Sequence, residues 1–571
     1  MILQALNSYY ERLKDDPATN IPLPGFGRQR IHFCLVIDQG GKLLQVKDLR
    51  EISGKKTIPI ELTLPQIGKK KSSGIEPDFT WGNTGYVLGL DKKGNSERSL
   101  DCFEAFKKLQ HKVGDHVQDE GMKALLEFLD AWKPEKAQEL NHWDEMVGRN
   151  VVFQLDGDRC YLHDRPTVQS AWSQFSAEKD KDFIATCLVS GEIGPIARLH
   201  PGIKGVKDAP LTGAGIVSFN LDAFESYGKT QNYNAPVSEP VAFAYTTVLN
   251  YLLRYGSRQR VQIGDATTVF WTERESPLEG FMGVILNPTD EAGDLLKIRL
   301  FLEAARDGKM YSELGDPDVK FYILGLSPNI SRLSVRFWHV STVGDIAEKI
   351  GQHFRDLTIV RRYESDPEFP GMWHLLRQTA VQGKTENIPP LLAGALIRSI
   401  LTGAAYPQTL LASVIGRIRA DQDINYLRAA IIKACLVRKS RINRIKKEVK
   451  MALDKESTNV AYRLGRLFAA LEKAQLDAVP GANTTIKDRF YGSASATPRV
   501  VFPQLLRLAQ HHIQKAEYGR WTDRMIEEII GGISEFPSHL SLDDQGLFTI
   551  GYYHQRQAFF TKSTDEKEGR K

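Results

Sequence analysis

The residues that come closest to a catalytic set are Asp156, Asp158 and His163, whose types suit a metal-dependent nuclease acting on DNA. The two aspartates flank Gly157, however, and an Asp-Gly pair between two apolar runs is a strong signal for a hairpin turn. The five cysteines are scattered along the chain without the paired spacing of a zinc site. We therefore expect a turn here, with no catalytic residue, no metal and no cofactor. The alternative is a metal-dependent nuclease that uses these residues to cut DNA.

The fragment Gly54–Thr57 (GKKT) imitates a phosphate-binding loop. Such a loop requires a glycine where this chain has Leu49, and Ser or Thr where it has Lys56. The fragment therefore does not predict nucleotide binding.

Positive charge is concentrated in two segments of a chain whose net charge is only +5. Lys69–Lys71 form one cluster, and residues 433–450 contain eight Lys or Arg against one Glu. Clusters of this kind are typical either of solvated surfaces or of surfaces that bind nucleic acid. On a nearly neutral chain they suit a protein that shares nucleic acid with partners.

The elements that must position these residues change in character along the 571 residues. Residues 1–370 alternate helical periods with short β-rich runs, which predicts a mixed α/β region. Segment 43–46 is expected to pair back on 30–37, and 159–162 on 151–155. The predicted helices are 3–14, 100–112, 119–133 and 239–254, and the other predicted strands are 58–64, 269–272, 319–324 and 333–338.

Residues 371–571 lose nearly all strand signals, and helical periods dominate there. This pattern predicts an all-α bundle, so that the whole chain is of the α+β class. The predicted helices of this part are 389–402, 407–419, 423–447, 457–475, 498–516 and 521–532.

The N-terminus has no basic stretch followed by an apolar core, so it does not resemble a signal peptide. No run of about 18 apolar residues occurs, and such a run is what a membrane span requires. We expect a cytoplasmic protein that does not engage a membrane.

Several strings along the chain resemble one protein family. The clearest is SYGKTQNYNAP (Ser226–Pro236), which follows ARLHPGIKGV at 197–206 and precedes AFAYTTVLNYLLR at 242–254. GIEPDFTWGNTGYVLGL (Gly74–Leu90) and the long string at 389–421 agree with it. Together they resemble the large-subunit family of the type I-C CRISPR surveillance complex (Cascade).

The resemblance implies a non-catalytic subunit that recognises the protospacer-adjacent motif (PAM), aids duplex opening and R-loop formation, and recruits a separate helicase-nuclease. In this interpretation residues 1–370 recognise the PAM and dock into the complex. A crRNA-binding assembly scaffold is a further alternative. The implied partners are crRNA, target double-stranded DNA with its displaced non-target strand, a handle-binding subunit, repeated backbone subunits, small subunits and the helicase-nuclease.

A PAM reader has to neutralise phosphates and place donors and acceptors against base edges. Lysines and small polar residues in the segment 69–86 have suitable chemistry, and an ordinary basic loop is the alternative. The residues concerned are Lys69, Lys70, Lys71, Ser72, Ser73, Asn83, Thr84 and Tyr86.

The string at 226–236 contributes three amide side chains, Gln231, Asn232 and Asn234, which could read adenine. The alternative is that these polar groups bind backbone and cap the helix predicted at 239–254. Lys204 and Lys207 precede the string and are candidates for phosphate contacts.

Seven cations in the helical part are spaced so that several could share one side of consecutive helices. A stripe of this kind would bind the displaced non-target strand electrostatically, and a solvated helix face is the alternative. The seven are Arg417, Arg419, Arg428, Lys433, Arg438, Arg441 and Arg444.

The resemblance also implies that the small subunit arises from an internal start in the same gene. Met451 follows Lys447-Glu448-Val449-Lys450, whose codons permit a ribosome-binding sequence just upstream of the ATG. Residues 451–571 are numerous enough to form an independent helical bundle. We therefore predict a second product that starts at Met451.

Overall fold

The chain is described here by a computed structural model. It describes residues 1–16, 18–19, 21–53, 56–66, 74–92, 97–178, 183–263, 265–286, 296–297, 299–301, 303–304, 314–445, 449–517 and 519–560.

Two compact units make up the chain, residues 1–255 with 328–334 (unit 1) and residues 256–327 with 335–571 (unit 2). The predicted α+β class is confirmed, because unit 1 mixes strands with helices and unit 2 carries a sheet followed by helices. The change of composition near residue 370 falls inside unit 2, where sheet and helices share one core. In the described part of the chain, no helix has both the length and the hydropathy for a membrane crossing.

Unit 1 is built on a four-stranded sheet in the order β3-β2-β8-β7. β2 lies inside the sheet and all its residues are buried, which explains its continuous run of apolar side chains. The remaining strands form the two-stranded pairs β1–β6, β4–β5 and β9–β10. The strands are β1 Phe26–Ile31, β2 Phe33–Ile37, β3 Leu43–Asp48, β4 Glu51–Ser53, β5 Lys56–Ile58, β6 Ile60–Pro65, β7 Trp81–Asn83, β8 Asn150–Leu155, β9 Ile184–Thr186 and β10 Ile193–Pro195.

The hairpin predicted after residue 150 is wrong. β8 pairs in parallel with β2 and antiparallel with β7, and no strand returns from Asp156-Gly157. The turn itself is present, with Gly157 at φ 82°, but the chain then enters a 3-10 turn at Leu162–Asp164. Because β8 already has a neighbour on each side, a returning strand has no free edge to join. The hairpin of β2 and β3 is confirmed.

The helices of unit 1 pack against this sheet or against one another. Phe128 of α4 contacts Phe153 of β8 with ring centroids 5.7 Å apart. Tyr10 of α1 meets Phe243 of α7 edge to face at 5.9 Å. The helices are α1 Ile2–Lys14, α2 Thr84–Val87, α3 Glu97–Gly114, α4 Glu120–Ala131, α5 Trp143–Met146, α6 Pro166–Glu178 and α7 Glu239–Leu253.

The sheet of unit 2 is antiparallel through β11, β12 and β13, and a long β13–β14 hairpin completes it. Phe270 and Phe321 point from neighbouring strands into the core that the helices also line. The elements up to this point are β11 Arg260–Ile263, β12 Ala266–Thr272, α8 Leu278–Leu286, β13 Lys320–Asn329, β14 Arg332–Thr342 and α9 Val343–Leu357.

The C-terminal helices complete unit 2, and α14 packs along α18 at their centre. All six helices predicted in this part are present, with ends shifted by a few residues. The fragment that contains Tyr491 is also helical, and a capping box of Thr485 and Asp488 starts it. The helices are α10 Met372–Arg377, α11 Pro390–Thr402, α12 Gln408–Asp421, α13 Tyr426–Ile442, α14 Val460–Ala478, α15 Ile486–Ala494, α16 Pro498–Lys515, α17 Gly519–Ile530 and α18 Leu542–Phe560.

Candidate nucleic-acid interface

The polar loop 225–234 of unit 1 is held by hydrogen bonds among its own residues. The carboxamide oxygen of Asn234 accepts from the backbone N–H of Ser226 at 3.0 Å. Its nitrogen donates to the carbonyl oxygens of Lys229 and Gln231, both at 2.8 Å. The side chain of Asn234 therefore works as a brace that ties three points of the loop together.

The other two amides of the loop also face the protein. The backbone N–H of Gln231 donates to Glu225 Oε1 at 2.9 Å, and its side-chain oxygen accepts from the guanidinium of Arg198 at 2.9 Å. Asn232 is only 2% exposed. These contacts match the alternative interpretation, in which the polar side chains order the loop, and in this conformation they leave little amide surface for a base edge.

Lys204 and Lys207 lie on an exposed loop that helix α7 positions. Asn250 of α7 accepts from the backbone N–H of Lys204 at 2.7 Å and donates to the carbonyl of Gly202 at 3.2 Å. His200 shares a 2.7 Å hydrogen bond with Tyr245 of the same helix. Burial lowers the pKa of His200 to about 4, so it is neutral at pH 7 and the exposed positive charge here is that of lysines.

The polar residues at the start of α2 serve the local fold. Asn83 caps this helix, because its side-chain oxygen accepts from the N–H groups of Gly85 and Tyr86 at 3.0 and 3.4 Å. Thr84 is fully buried and accepts from the N–H of Gly148 at 2.8 Å. In this conformation Thr84 has no surface to offer to DNA. The Lys69–Ser73 part of the predicted PAM segment lies outside the described residues.

The predicted arginine stripe is wrong for Arg428, Lys433 and Arg438, which are buried, and the last two lie beside one carboxylate, Asp356 of α9. The guanidinium of Arg438 donates from Nε to Asp356 Oδ2 at 2.7 Å and from Nη1 to the carbonyl of Ser399 at 2.8 Å. Lys433 donates to the Asp356 carbonyl at 3.1 Å, and Arg441 pairs with the same carboxylate from the rim of the core. A buried charge needs such partners, so this group holds α9, α11 and α13 together.

The cations at the junction of α12 and α13 are also engaged within the protein. Arg428 is the third buried member; it pairs with Asp421 and donates to the carbonyl of Asp423 at 2.7 Å. Arg417 pairs with Asp421 as well, and Arg419 donates to Gln545 at 2.8 Å. Of the predicted stripe, Arg441 and Arg444 remain at the surface, at the C-terminal end of α13.

Helix α16 presents a cationic surface that the sequence reasoning missed. Its sequence PRVVFPQLLRLAQHHIQK contains no Asp or Glu. Arg499, Arg507, His511 and Lys515 are exposed, and among the described residues none of the three Arg and Lys side chains forms an ion pair. They recur at multiples of four residues, so they follow one side of the helix with a slow drift. That spacing, combined with the missing carboxylates, was the signal in the sequence.

The residues of the nuclease alternative do not form a cluster. Asp158 pairs with Arg165, which also binds Asp119 at 2.8 Å. His163 is buried, and burial lowers its pKa to about 3. Within the described ranges, no group of three His, Cys, Asp or Glu side chains lies close enough to hold a metal ion.

Comparison with known proteins connects this chain to one family. The model of the family described as CRISPR-associated protein (Cas_Csd1) matches residues 6–560. No curated protein matches the sequence. The matched range contains the polar loop, the lysines before it and the cationic helix α16.

Proposed function

This chain belongs to the Cas_Csd1 family of CRISPR-associated proteins, and from that premise we propose that it is the non-catalytic large subunit of a type I-C surveillance complex. In this role it recognises the PAM on duplex DNA, helps to open the duplex and stabilises the R-loop. A separate helicase-nuclease, which it recruits, cuts the DNA. The guide crRNA, the handle-binding subunit, the repeated backbone subunits and the small subunits are its other partners.

The observation that carries this proposal is the exposed cationic surface of α16. Arg499, Arg507 and Lys515 face solvent and form no ion pair with any carboxylate that the structure describes, which leaves their charge for an anionic ligand. A groove or stripe of unpaired cations binds single-stranded DNA without sequence preference. We assign the displaced non-target strand to this surface, with Arg444 as a further contact.

For the duplex side, we assign phosphate contacts to Lys204 and Lys207 of unit 1, which are exposed on a loop anchored to α7. Lys69–Lys71 remain predicted contacts of the PAM duplex. Two separate basic regions suit a subunit that holds a duplex end and a displaced strand at once.

We expect the triple substitution Arg499→Ala, Arg507→Ala and Lys515→Ala to weaken binding of PAM-bearing DNA by the assembled complex. Each phosphate contact on single-stranded DNA contributes about 0.7 to the slope of log K against log salt, so the slope should fall by roughly 2. Gel-shift titrations between 50 and 300 mM KCl measure both quantities.

A matched control removes the same charge where each cation already has a carboxylate partner. Arg274, Arg299 and Lys320 are exposed and pair with Asp316, Glu368 and Glu273 at 2.8 to 3.0 Å. Their triple substitution to Ala should leave the salt slope unchanged. Equal salt slopes for both triple variants would show that the non-target strand does not bind α16.

Cleavage of DNA by the chain alone with Mg²⁺ would instead favour the alternative function, a metal-dependent nuclease.

We also propose that residues 451–571 are made separately, from a start at Met451, as the small subunit. The described part of this segment has a core of its own: Phe468 packs on Tyr491 and Phe548, each with centroids 5.8 Å apart. Tyr552 donates to Glu472 at 2.6 Å within the same segment. These aromatic side chains therefore pack on partners within the same segment.

A further inference from the structure

Tyr227 stands at the tip of a tight turn in the polar loop of unit 1. The backbone N–H of Lys229 donates to the carbonyl of Ser226 at 3.0 Å, which closes the turn. Tyr227 and Gly228 between them have φ of 54° and 67°. Two central residues with positive φ are the mark of a type I′ turn, which favours Asn-Gly or Gly-Gly.

Within the described part of the chain, no hydrogen bond, ion pair or ring contact involves the aromatic ring of Tyr227. Tyr227 is 98% exposed, so its ring buries almost no surface. A left-handed backbone is unfavourable for a residue with a Cβ atom, and Tyr is not among the types that adopt it readily. The second tyrosine of the loop behaves differently, because Tyr233 packs on Phe183 with ring centroids 4.6 Å apart.

The turn is also held rigidly, because Asn234 binds both of its ends: it accepts from the N–H of Ser226 and donates to the carbonyl of Lys229. An exposed side chain on a fixed support loses little freedom when it binds a ligand. The tip carries one cation, Lys229, and the one carboxylate of the loop, Glu225, accepts from the backbone N–H of Gln231. The ligand that fits a bare aromatic face beside a lysine is aromatic and anionic, which is a nucleotide.

We propose that Tyr227 stacks on an unpaired nucleobase of the target DNA. This inference rests on the proposed function and adds the contact that would hold a base once the duplex begins to open. Stacking needs only the face of the base, so the contact is tolerant of sequence. The amides of the loop support the turn in this arrangement, and the ring makes the contact.

The test uses the assembled complex with the substitution Tyr227→Asn. This substitution removes the ring and keeps the turn, because Asn-Gly is the preferred pair at the centre of a type I′ turn. We expect DNA affinity to fall by roughly 5- to 100-fold, the usual effect of losing one stacked base. Tyr227→Phe should bind as the unsubstituted chain does. A scan of 2-aminopurine through both strands next to the PAM should show one quenched position that brightens only with Tyr227→Asn.

Tyr255 supplies the matched control, since it is 100% exposed and its substitution to Asn removes an equivalent ring elsewhere. That variant should bind normally. If the unsubstituted complex binds DNA and Tyr227→Asn changes neither affinity nor fluorescence, the inference is wrong while the proposed function stands. If the complex with Tyr227→Asn lacks subunits that the unsubstituted complex contains, the ring contacts a protein and the inference is equally wrong. Absence of DNA binding by the unsubstituted complex would count against the proposed function itself.

Discussion

Asp356 determines the positions of several positively charged side chains of unit 2. From the sequence, the cations between residues 433 and 444 were expected at a surface, since charge runs are usually solvated. In the structure Lys433 and Arg438 are buried, because α9 places the carboxylate of Asp356 between α11 and α13. No spacing rule connects Asp356 with Arg438, 82 positions later in the chain. The burial of these cations could therefore not be predicted from their own segment.

The buried lysine of this group has a consequence for pH. Burial and the neighbouring charge of Arg441 lower the pKa of Lys433 to about 8, although Asp356 acts in the opposite direction. Unfolding returns the amine to its ordinary pKa of 10.5. Between these values the unfolded chain binds more protons than the folded chain, so the free energy of unfolding rises with pH over this window.

Lys433→Met abolishes this dependence, since Met fills a similar volume and does not titrate. We expect the stability of the variant relative to the unsubstituted chain to fall by on the order of 2–3 kcal/mol between pH 7 and pH 10. Urea denaturation at several pH values measures this difference. Lys320→Met is the control, because Glu273 raises the pKa of this exposed lysine and keeps it protonated at pH 10. A difference for Lys433→Met that stays constant with pH would contradict the prediction.

At the scale of elements, strongly periodic helices such as α7 and α12 were predicted within two residues of their ends. Helix α18 was missed, because its sequence LDDQGLFTIGYYHQRQAFF has no clear apolar face. It is buried on several sides, so Tyr552, Tyr553 and His554 are all nearly inaccessible to solvent. Periodicity reveals a helix only when one face is solvated. The parallel pairing of β8 with β2 could not be predicted for a related reason, because no pattern within either strand indicates which distant strand it pairs with.

Helices α14 and α18 approach so closely that each places a glycine against the backbone of the other. A Cβ atom at Gly551 would overlap the carbonyl oxygen of Tyr462, and one at Gly465 would overlap that of Phe548. Reciprocal contacts of this kind leave no flexible side chain that could move aside. The two glycines therefore set the distance between the central helices of the segment.

We expect Gly551→Ala to destabilise the chain by about 1–3 kcal/mol, the usual cost of overpacking a rigid core. Thermal or urea unfolding of the full chain measures it. Gly416→Ala is the matched control, because Gly416 is an exposed helical glycine with open space around it. The same substitution there should stabilise the chain by up to about 1 kcal/mol through helix propensity. Equal effects at the two positions would show that α14 and α18 are not in direct backbone contact.

On the scale of the whole molecule, the segment after Met451 packs several of its aromatic side chains on one another and is also part of the core of unit 2. Gly546 of α18 lies against Ile432 and Leu436 of α13, at 3.1 and 3.3 Å from the position of a Cβ atom. Lys439 of α13 pairs with Asp543 at 2.5 Å. A separate product would expose this face of α18, because it lacks α13.

The internal start is tested by synonymous codons at Lys447–Val449, which preserve the protein and remove the ribosome-binding sequence that these codons permit. We expect the short product to disappear while the full chain persists, as read by immunoblot against a C-terminal tag. Met451→Leu should act in the same way without harming the full chain, because the Met451 side chain is 56% exposed and its backbone carbonyl, which accepts from the N–H of Val360 at 2.9 Å, is kept. Synonymous codons before Met372, which lacks Lys-Glu-Val upstream, should change nothing. Undiminished short product after the changes at 447–449 and at Met451 would place the start elsewhere. Absence of any short product from the unchanged gene would show that the segment is made only within the full chain.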